Sequence, residues 1–278
     1  MSEFVPIARH TIKSPDGVNL AVQEWGNPSG PAILLIHGIS QCHLSWCHQY
    51  ESDLATQFRL VTFDLRGHGD SSKPLDAPSY QENPRWAHDL NAIMDTLNLD
   101  RPVLVGWSYA GRVICDYLLT YGDSRLAAIN FVAASTKTSP EFTSAGGKVL
   151  RRALMTDDPA NNENNVRDFL RMCSAQPLAP ADLEPMVTYN MLPTAEIRTH
   201  MLTRTTPYEE ALRQVKVPVL ITHGEQDQIV VPAVSRYTAS VIPHAKMSLY
   251  PHCAHMPFWE DAPRFNRELS AFVRNAPK

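Results

Sequence analysis

The chain has 278 residues, a formal net charge of −4, 44% hydrophobic residues and 19% charged residues. That length suits one α/β domain or two small ones with an ordinary buried core. The charge balance holds no basic surplus to suggest nucleic acid, and no Lys/Arg run marks a membrane-binding face.

The opening residues lack the charged and apolar regions of a secretory signal. The strongest apolar run, Ala32–Ile36, is far too short to span a bilayer. Five cysteines stand at 42, 47, 115, 173 and 253, and the 42/47 pair has no second pair to complete a zinc site. They read as thiols packed like small apolar residues in a reduced, cytoplasmic setting. No metal constellation and no phosphate-binding glycine loop occurs, so no cofactor is implied.

In chain order, residues 7–13 and 18–25 alternate loosely and flank Ser14-Pro15-Asp16-Gly17, which predicts an antiparallel hairpin. Residues 32–36 form a continuous apolar strand followed by His37-Gly38-Ile39-Ser40. Trp46 sits in a polar stretch expected to open a helix. Residues 59–63 form the next buried strand and end in a glycine-punctuated turn from Asp64 through Arg66 and His68 to Ser71. Ala87, Leu90, Ile93, Met94 and Leu97 mark an amphipathic helix over 85–98.

Val103 to Val105 is a short buried strand. It runs into Gly106-Trp107-Ser108-Tyr109-Ala110-Gly111, and Val113, Ile114, Tyr117 and Leu118 then recur at helical spacing. A strand, a tight turn with serine at its apex and a helix are what a nucleophile elbow requires. The strict pattern has glycine where Ala110 stands. A further apolar strand covers 126–134. The alternation of strands and helices predicts a parallel sheet covered on both faces.

Residues 137–206 lose the strand signal and hold five of the nine methionines, at 155, 172, 186, 191 and 201. The segment reads as a helical insertion over the carboxyl edge of the sheet. Residues 161–165 read as a polar break between its helices. Its methionines either soften a pocket wall or pack as ordinary helix core. Strands resume at 217–222 and 246–250. The first ends in His223-Gly224-Glu225-Gln226-Asp227, and the second is followed by His252 and His255. Phe265, Leu269, Phe272 and Val273 mark a closing helix, with Asp261 as N-cap and Pro263 in the first turn.

Acyl chemistry needs a nucleophile, a base and a group that orients the base. Open α/β sheets place sites beyond the carboxyl ends of their strands. Ser108, Asp227 and His255 each follow a strand end, in the chain order serine, acid, histidine. Glu225 competes with Asp227, and His252 and His244 compete with His255.

The motifs His37-Gly38, Asp64-Leu65-Arg66-Gly67-His68-Gly69, Gly106-x-Ser108-x-Ala110-Gly111, Gly224-x-x-Asp227 and His255-x-Pro257-x-x-Glu260 occur in this order. With them the chain resembles serine-nucleophile α/β-hydrolases, nearest to small esterases of the non-haem haloperoxidase-like branch. The resemblance implies an α/β fold with a mostly parallel eight-stranded sheet flanked by helices. Residues 1–136 and 207–278 would form the core and 137–206 a helical lid. It makes Ser108 the nucleophile, His255 the general base and then acid, and Asp227 the orienting acid. The backbone N–H groups of Ile39 and Tyr109 would form the oxyanion hole. His255 is favoured over His252 because a small residue precedes it and Pro257 follows two later, as in the family's loop.

His37 is expected to brace the oxyanion loop, and Asp64, Arg66 and His68 to form a turn network. Trp46 and Trp107 either line the acyl pocket or pack in the core. Ser108 stands where epoxide hydrolases and haloalkane dehalogenases on this fold carry a carboxylate, which disfavours both activities. Resembling perhydrolases have proline just after the oxyanion residue; here that place holds Ser40. The expected function is hydrolysis of small, moderately apolar esters or lactones through an acyl-enzyme. The alternatives are a ligand receptor with weak hydrolysis, or a perhydrolase, lyase or acyltransferase using the same triad. The expected partner is a small-molecule substrate, with no nucleic acid and no membrane; oligomeric state is left open.

Overall fold

The structure is a computed structural model that describes residues 5–277 except 143, 145, 146, 149, 150, 152, 153, 157 and 206, and omits the side chains of 159–161. The ends of the expected core, residues 1–4 and 278, and those nine positions of the 137–206 segment lie outside the described residues.

Eight strands form one sheet: β1 (Ala8–Lys13), β2 (Asn19–Gly26), β3 (Ala32–Ile36), β4 (Arg59–Phe63), β5 (Val103–Trp107), β6 (Ala128–Val132), β7 (Val219–Gly224) and β8 (Lys246–Tyr250). Their spatial order is β1-β2-β4-β3-β5-β6-β7-β8. β2 pairs antiparallel with β1 and β4, and every other pairing is parallel, so β2 alone runs against the rest. Every residue of β3, β5 and β6 is buried, as expected where helices cover both faces of parallel strands. The edge strand β1 instead alternates, with its odd side turned to solvent.

Register sets the site. Ile36 pairs with Gly106, Trp107 with Val132, Val132 with Thr222, and Gly224 with Tyr250. The carboxyl ends of β3, β5, β6, β7 and β8 therefore finish at one edge, and the loops that follow them meet there.

The helices used below are α1 (Asn83–Thr96), α2 (Ala110–Tyr121), α3 (Pro159–Met172), α4 (Pro180–Asn190), α5 (Ala195–Thr203), α6 (Pro232–Val241) and α7 (Ala262–Arg274). In α7, Phe265, Leu269 and Val273 are buried at spacings of four, and the Asp261 carboxylate caps the first turn by accepting from Arg264 N–H. α3 runs straight through residues 161–165, where the sequence pattern predicts a break. Val166, Phe169, Leu170 and Cys173 are buried at helical spacing and anchor it, and Pro159 starts it. Asparagine costs a helix only tenths of a kcal/mol, about 0.7 at most, so an apolar face overrides it. Pro185 likewise lies inside α4. Trp46 ends a 3₁₀ turn, His43–Trp46, and is the N-cap of the short helix Cys47–Tyr50, so the stretch opens a helix as its sequence suggests.

No strand occurs among the described residues of 137–206. The segment touches the carboxyl-edge loops at Gln41–Asn190, at Tyr109–Met201 and at Cys173–His255. Among the described residues no helix is long and apolar enough to cross a membrane.

Candidate active site

Ser108 sits between β5 and α2 with φ +56°, a left-handed conformation that costs a non-glycine residue roughly 1–3 kcal/mol. Its neighbours hold it there. Ser108 N–H donates to Val132 O at 2.9 Å, and Ser108 O accepts from Gly111 N–H at 3.0 Å and Ser135 N–H at 2.9 Å. The elbow needs close backbone approach: a Cβ at Gly111 would stand 2.8 Å from Ala134 Cβ. Ala110, where the strict motif has glycine, is fully buried.

Asp227 follows β7, and His255 lies in the loop after β8. His255 Nδ1 and Asp227 Oδ2 are 2.7 Å apart, and both side chains are buried. Asp227 Oδ1 accepts from Ile229 N–H at 2.8 Å and Val230 N–H at 3.1 Å. Burial works to raise the Asp227 pKa, but the imidazoles of His255 and His223 outweigh it and hold the carboxyl at about 2. An ionised Asp227 only accepts, so Nδ1 of His255 carries the proton and Nε2 is left with the free lone pair.

The backbone of His255 is pinned on both sides. Its N–H donates to Cys173 O at 3.0 Å, and its carbonyl accepts from the Trp107 indole at 2.9 Å. Glu260 fastens the same loop, accepting from Ala254 N–H at 2.8 Å through one oxygen and from Ala175 N–H at 2.6 Å through the other. β7 passes so close that a Cβ at Gly224 would overlap the carbonyls of Cys253 and Ala254.

The structure thus brings Asp227 and His255 into contact and ties the loop of His255 to Trp107, the residue before Ser108. Among the described residues no hydrogen bond joins Ser108 Oγ to the His255 ring; such contacts are often long in apo sites and tighten with substrate. Of the competing residues, the His244 ring bonds Val217 O at 3.0 Å, away from this edge, while Glu225 and His252 are exposed.

Ile39 follows β3, and a Cβ at the adjacent Gly38 would stand 3.1 Å from Ser108 Cβ. Among the described residues the N–H groups of Ile39 and Tyr109 donate to no protein acceptor. Two buried histidines brace this loop. His37 Nδ1 donates to Gly38 O at 2.7 Å while its Nε2 accepts from Leu65 N–H at 2.9 Å. His68 Nδ1 donates to Arg66 O at 3.0 Å, and its Nε2 accepts from Ser40 N–H at 2.9 Å. Burial pushes His37 down to about 4 and His68 down to about 3, so both rings stay neutral. A proline at position 40 could not make the bond that Ser40 makes. Arg66 pairs with Asp89 and Asp16, each at 2.7 Å.

A cavity of about 130 Å³ opens at Ser108, bordered by Ile39, Tyr109, Arg112, Ser135, Phe142, Leu202 and Val230 among others. Neither Trp46 nor Trp107 borders it. Trp46 is fully buried against Phe258, with ring centroids 4.4 Å apart. Trp107 is buried against His255 and Phe258. None of the five methionines of 137–206 borders the cavity, and Met186 and Met201 are core residues.

Cys42, His43 and Asp64 bring potential metal-ligand atoms within 4.8 Å of one another. Burial pushes the Cys42 thiol up, which opposes thiolate ligation, and Asp64 already accepts from His43 and Asp70.

Sequence reasoning missed His223. Its Nε2 is 3.0 Å from Asp227 Oδ2, and its Nδ1 is 2.6 Å from Ser235 Oγ on α6. The available signal was a histidine at a strand's carboxyl end, four residues before the acid. Arg112 was missed as well; it lies four residues after Ser108 and faces the same cavity.

Comparison with known proteins agrees with this architecture. Residues 31–262 match the sequence profile of the α/β hydrolase fold. The chain is 27% identical to the bifunctional esterase/perhydrolase DCH of Acinetobacter calcoaceticus, over 95% of this chain and 99% of that protein. It is 25% identical to the non-heme chloroperoxidase CPO-A1 of Kitasatospora aureofaciens, over 93% of this chain and 97% of that one. A solved structure of a candidate aryl esterase from Burkholderia cenocepacia superposes with a TM-score of 0.93 at 35% identity, covering 96% of this chain and 98% of that one. The chain belongs to the α/β-hydrolase family, in its esterase and haloperoxidase-like branch.

Proposed function

We propose that this protein hydrolyses small-molecule carboxylic esters through an acyl-enzyme on Ser108, with His255 as general base and then acid and Asp227 as the orienting carboxylate. The observation that carries the reading is the buried 2.7 Å Asp227–His255 contact at the sheet edge where Ser108 is held at φ +56°. Esterase relatives support the reaction class.

In this reading His255 Nε2 takes the Ser108 proton as Oγ attacks the ester carbonyl. The N–H groups of Ile39 and Tyr109 stabilise the oxyanion, and one such donor is typically worth about 10²–10³ in rate. Collapse expels the alcohol, which takes the proton from His255. Water then repeats the sequence and releases the acid. Residues 137–206 act as the cap that shapes the pocket. The Ser40 N–H bond to His68 supports hydrolysis over perhydrolysis, because a proline there would lose it. Five free thiols support a reducing compartment.

Turnover of 4-nitrophenyl acetate tests the proposal. The wild-type protein should turn over many equivalents, and Ser108→Ala should lose activity by a factor on the order of 10⁶. Undiminished turnover by Ser108→Ala contradicts it.

A further inference from the structure

We infer that the ester taken by this site carries a carboxylate group, bound by the guanidinium of Arg112 in the cavity beside Ser108. The inference rests on the proposed esterase reading and adds the substrate's chemical class.

Arg112 is only 3% exposed, yet it has no carboxylate partner among the described residues. What it has is weak: Nε lies 3.4 Å from Ser135 Oγ, Nη1 lies 3.4 Å from Met201 O, and the guanidinium sits 5.2 Å from the Tyr109 ring centroid. Two other buried arginines meet carboxylates directly. Arg66 meets Asp16 and Asp89, and Arg204 meets Asp116 at 2.5 Å. A buried charge without a counterion is expensive to hold, and an arginine fork matches a carboxylate with two parallel hydrogen bonds.

The surroundings point the same way. Arg112, Lys137 and Arg151 all border the cavity, and no Asp or Glu is among its lining residues. Lys137 pairs with Glu209 at a long 3.4 Å and lies 5.3 Å from the Tyr237 ring centroid. Ser135 links the two functions of the pocket, since its N–H holds Ser108 O and its hydroxyl approaches Arg112. Burial lowers the Arg112 pKa, as it does for a cation lacking an anion to offset it. Phe142, Leu154, Leu202 and Val230 give the same cavity an apolar wall, which suits a carbon chain joining the ester to the carboxylate.

The test compares 4-nitrophenyl half-esters of succinate, glutarate and adipate with neutral 4-nitrophenyl esters of the same chain length. Wild-type protein should show a higher kcat/KM for at least one half-ester. The half-ester to neutral-ester ratio should fall about 100-fold in Arg112→Met and recover in part in Arg112→Lys. Isothermal titration of Ser108→Ala with glutarate reads the anion site without hydrolysis, and adding Arg112→Met should abolish that binding. Glutarate binding without turnover of any ester supports the anion site while defeating the esterase reading. Turnover of neutral esters with no preference for half-esters and no glutarate binding overturns the inference while leaving the esterase reading intact. If Arg112→Met does not fold, the wild-type preference and Arg112→Lys decide the matter.

Discussion

The indole N–H of Trp107 donates to the carbonyl of His255 at 2.9 Å, across 148 residues of sequence. The residue before the candidate nucleophile therefore holds the backbone of the candidate base. Trp107→Phe keeps most of the packing against Phe258 and removes the donor. A buried carbonyl left without its donor costs about 1–3 kcal/mol. We expect kcat to fall roughly 10-fold to 100-fold with KM little changed, because the loss displaces the base more than the pocket. Steady-state kinetics on 4-nitrophenyl acetate checks this, and an unchanged kcat would remove Trp107 from the positioning of His255.

The ionisation of Asp227 fixes the pH response. Its carboxyl, held at about 2 by the facing imidazoles against the opposing effect of burial, stays anionic across the working range. His255 must be unprotonated to accept the serine proton, so kcat/KM should fall in acid. Activity should rise with pH from the acid side. Asp227→Asn should lower kcat by about 10⁴, as expected when the imidazole sits in the wrong tautomer. A flat profile, or wild-type activity in Asp227→Asn, contradicts the role given to this pair.

Stability should decline in mild acid because of His37. Burial lowers its folded pKa to about 4, below the ordinary histidine value of about 6.5. The unfolded chain therefore binds a proton that the folded chain refuses, so the stabilisation is present above pH 6.5 and lost as pH falls through 4. The shift corresponds to about 3 kcal/mol. His68, also pushed down by burial, acts in the same direction. Urea unfolding between pH 7 and pH 4 measures it, and a stability independent of pH over that interval contradicts a neutral, buried His37.

Gly224 lets β7 run beneath the loop that carries His255. A Cβ there would overlap the carbonyls of Cys253 and Ala254, one residue from the base. Gly224→Ala should displace that loop and cut kcat by at least 10-fold to 100-fold, in addition to destabilising the fold by roughly 1–3 kcal/mol. Kinetics paired with thermal unfolding separates the two effects. A folded Gly224→Ala protein with wild-type kcat would show that the loop tolerates the shift.

Local signals made much of this legible in the sequence. The buried strands announce themselves as apolar runs, and Ser108, Asp227 and His255 each stand just past a strand end, so their order and spacing carry the reading. What stayed hidden depends on packing between distant segments. His223 reads as the last residue of a strand until the fold turns its ring onto Asp227. Trp107 reads equally as pocket or core until β5 and the loop after β8 are side by side. Arg112 looks like any arginine on a helix until Ser135 and Met201 enclose it without a carboxylate. Residues 161–165 look like a break because polarity was weighed above the apolar face formed by Val166, Phe169 and Leu170, which carries α3 through.

The most direct test of the account is to map the adduct left by a fluorophosphonate probe on the native protein by intact-mass and peptide mass spectrometry. The account predicts one adduct per chain, located on Ser108, absent in Ser108→Ala and formed far more slowly in His255→Ala. A stoichiometric adduct on another residue, or labelling of Ser108 at an undiminished rate without His255, would contradict it.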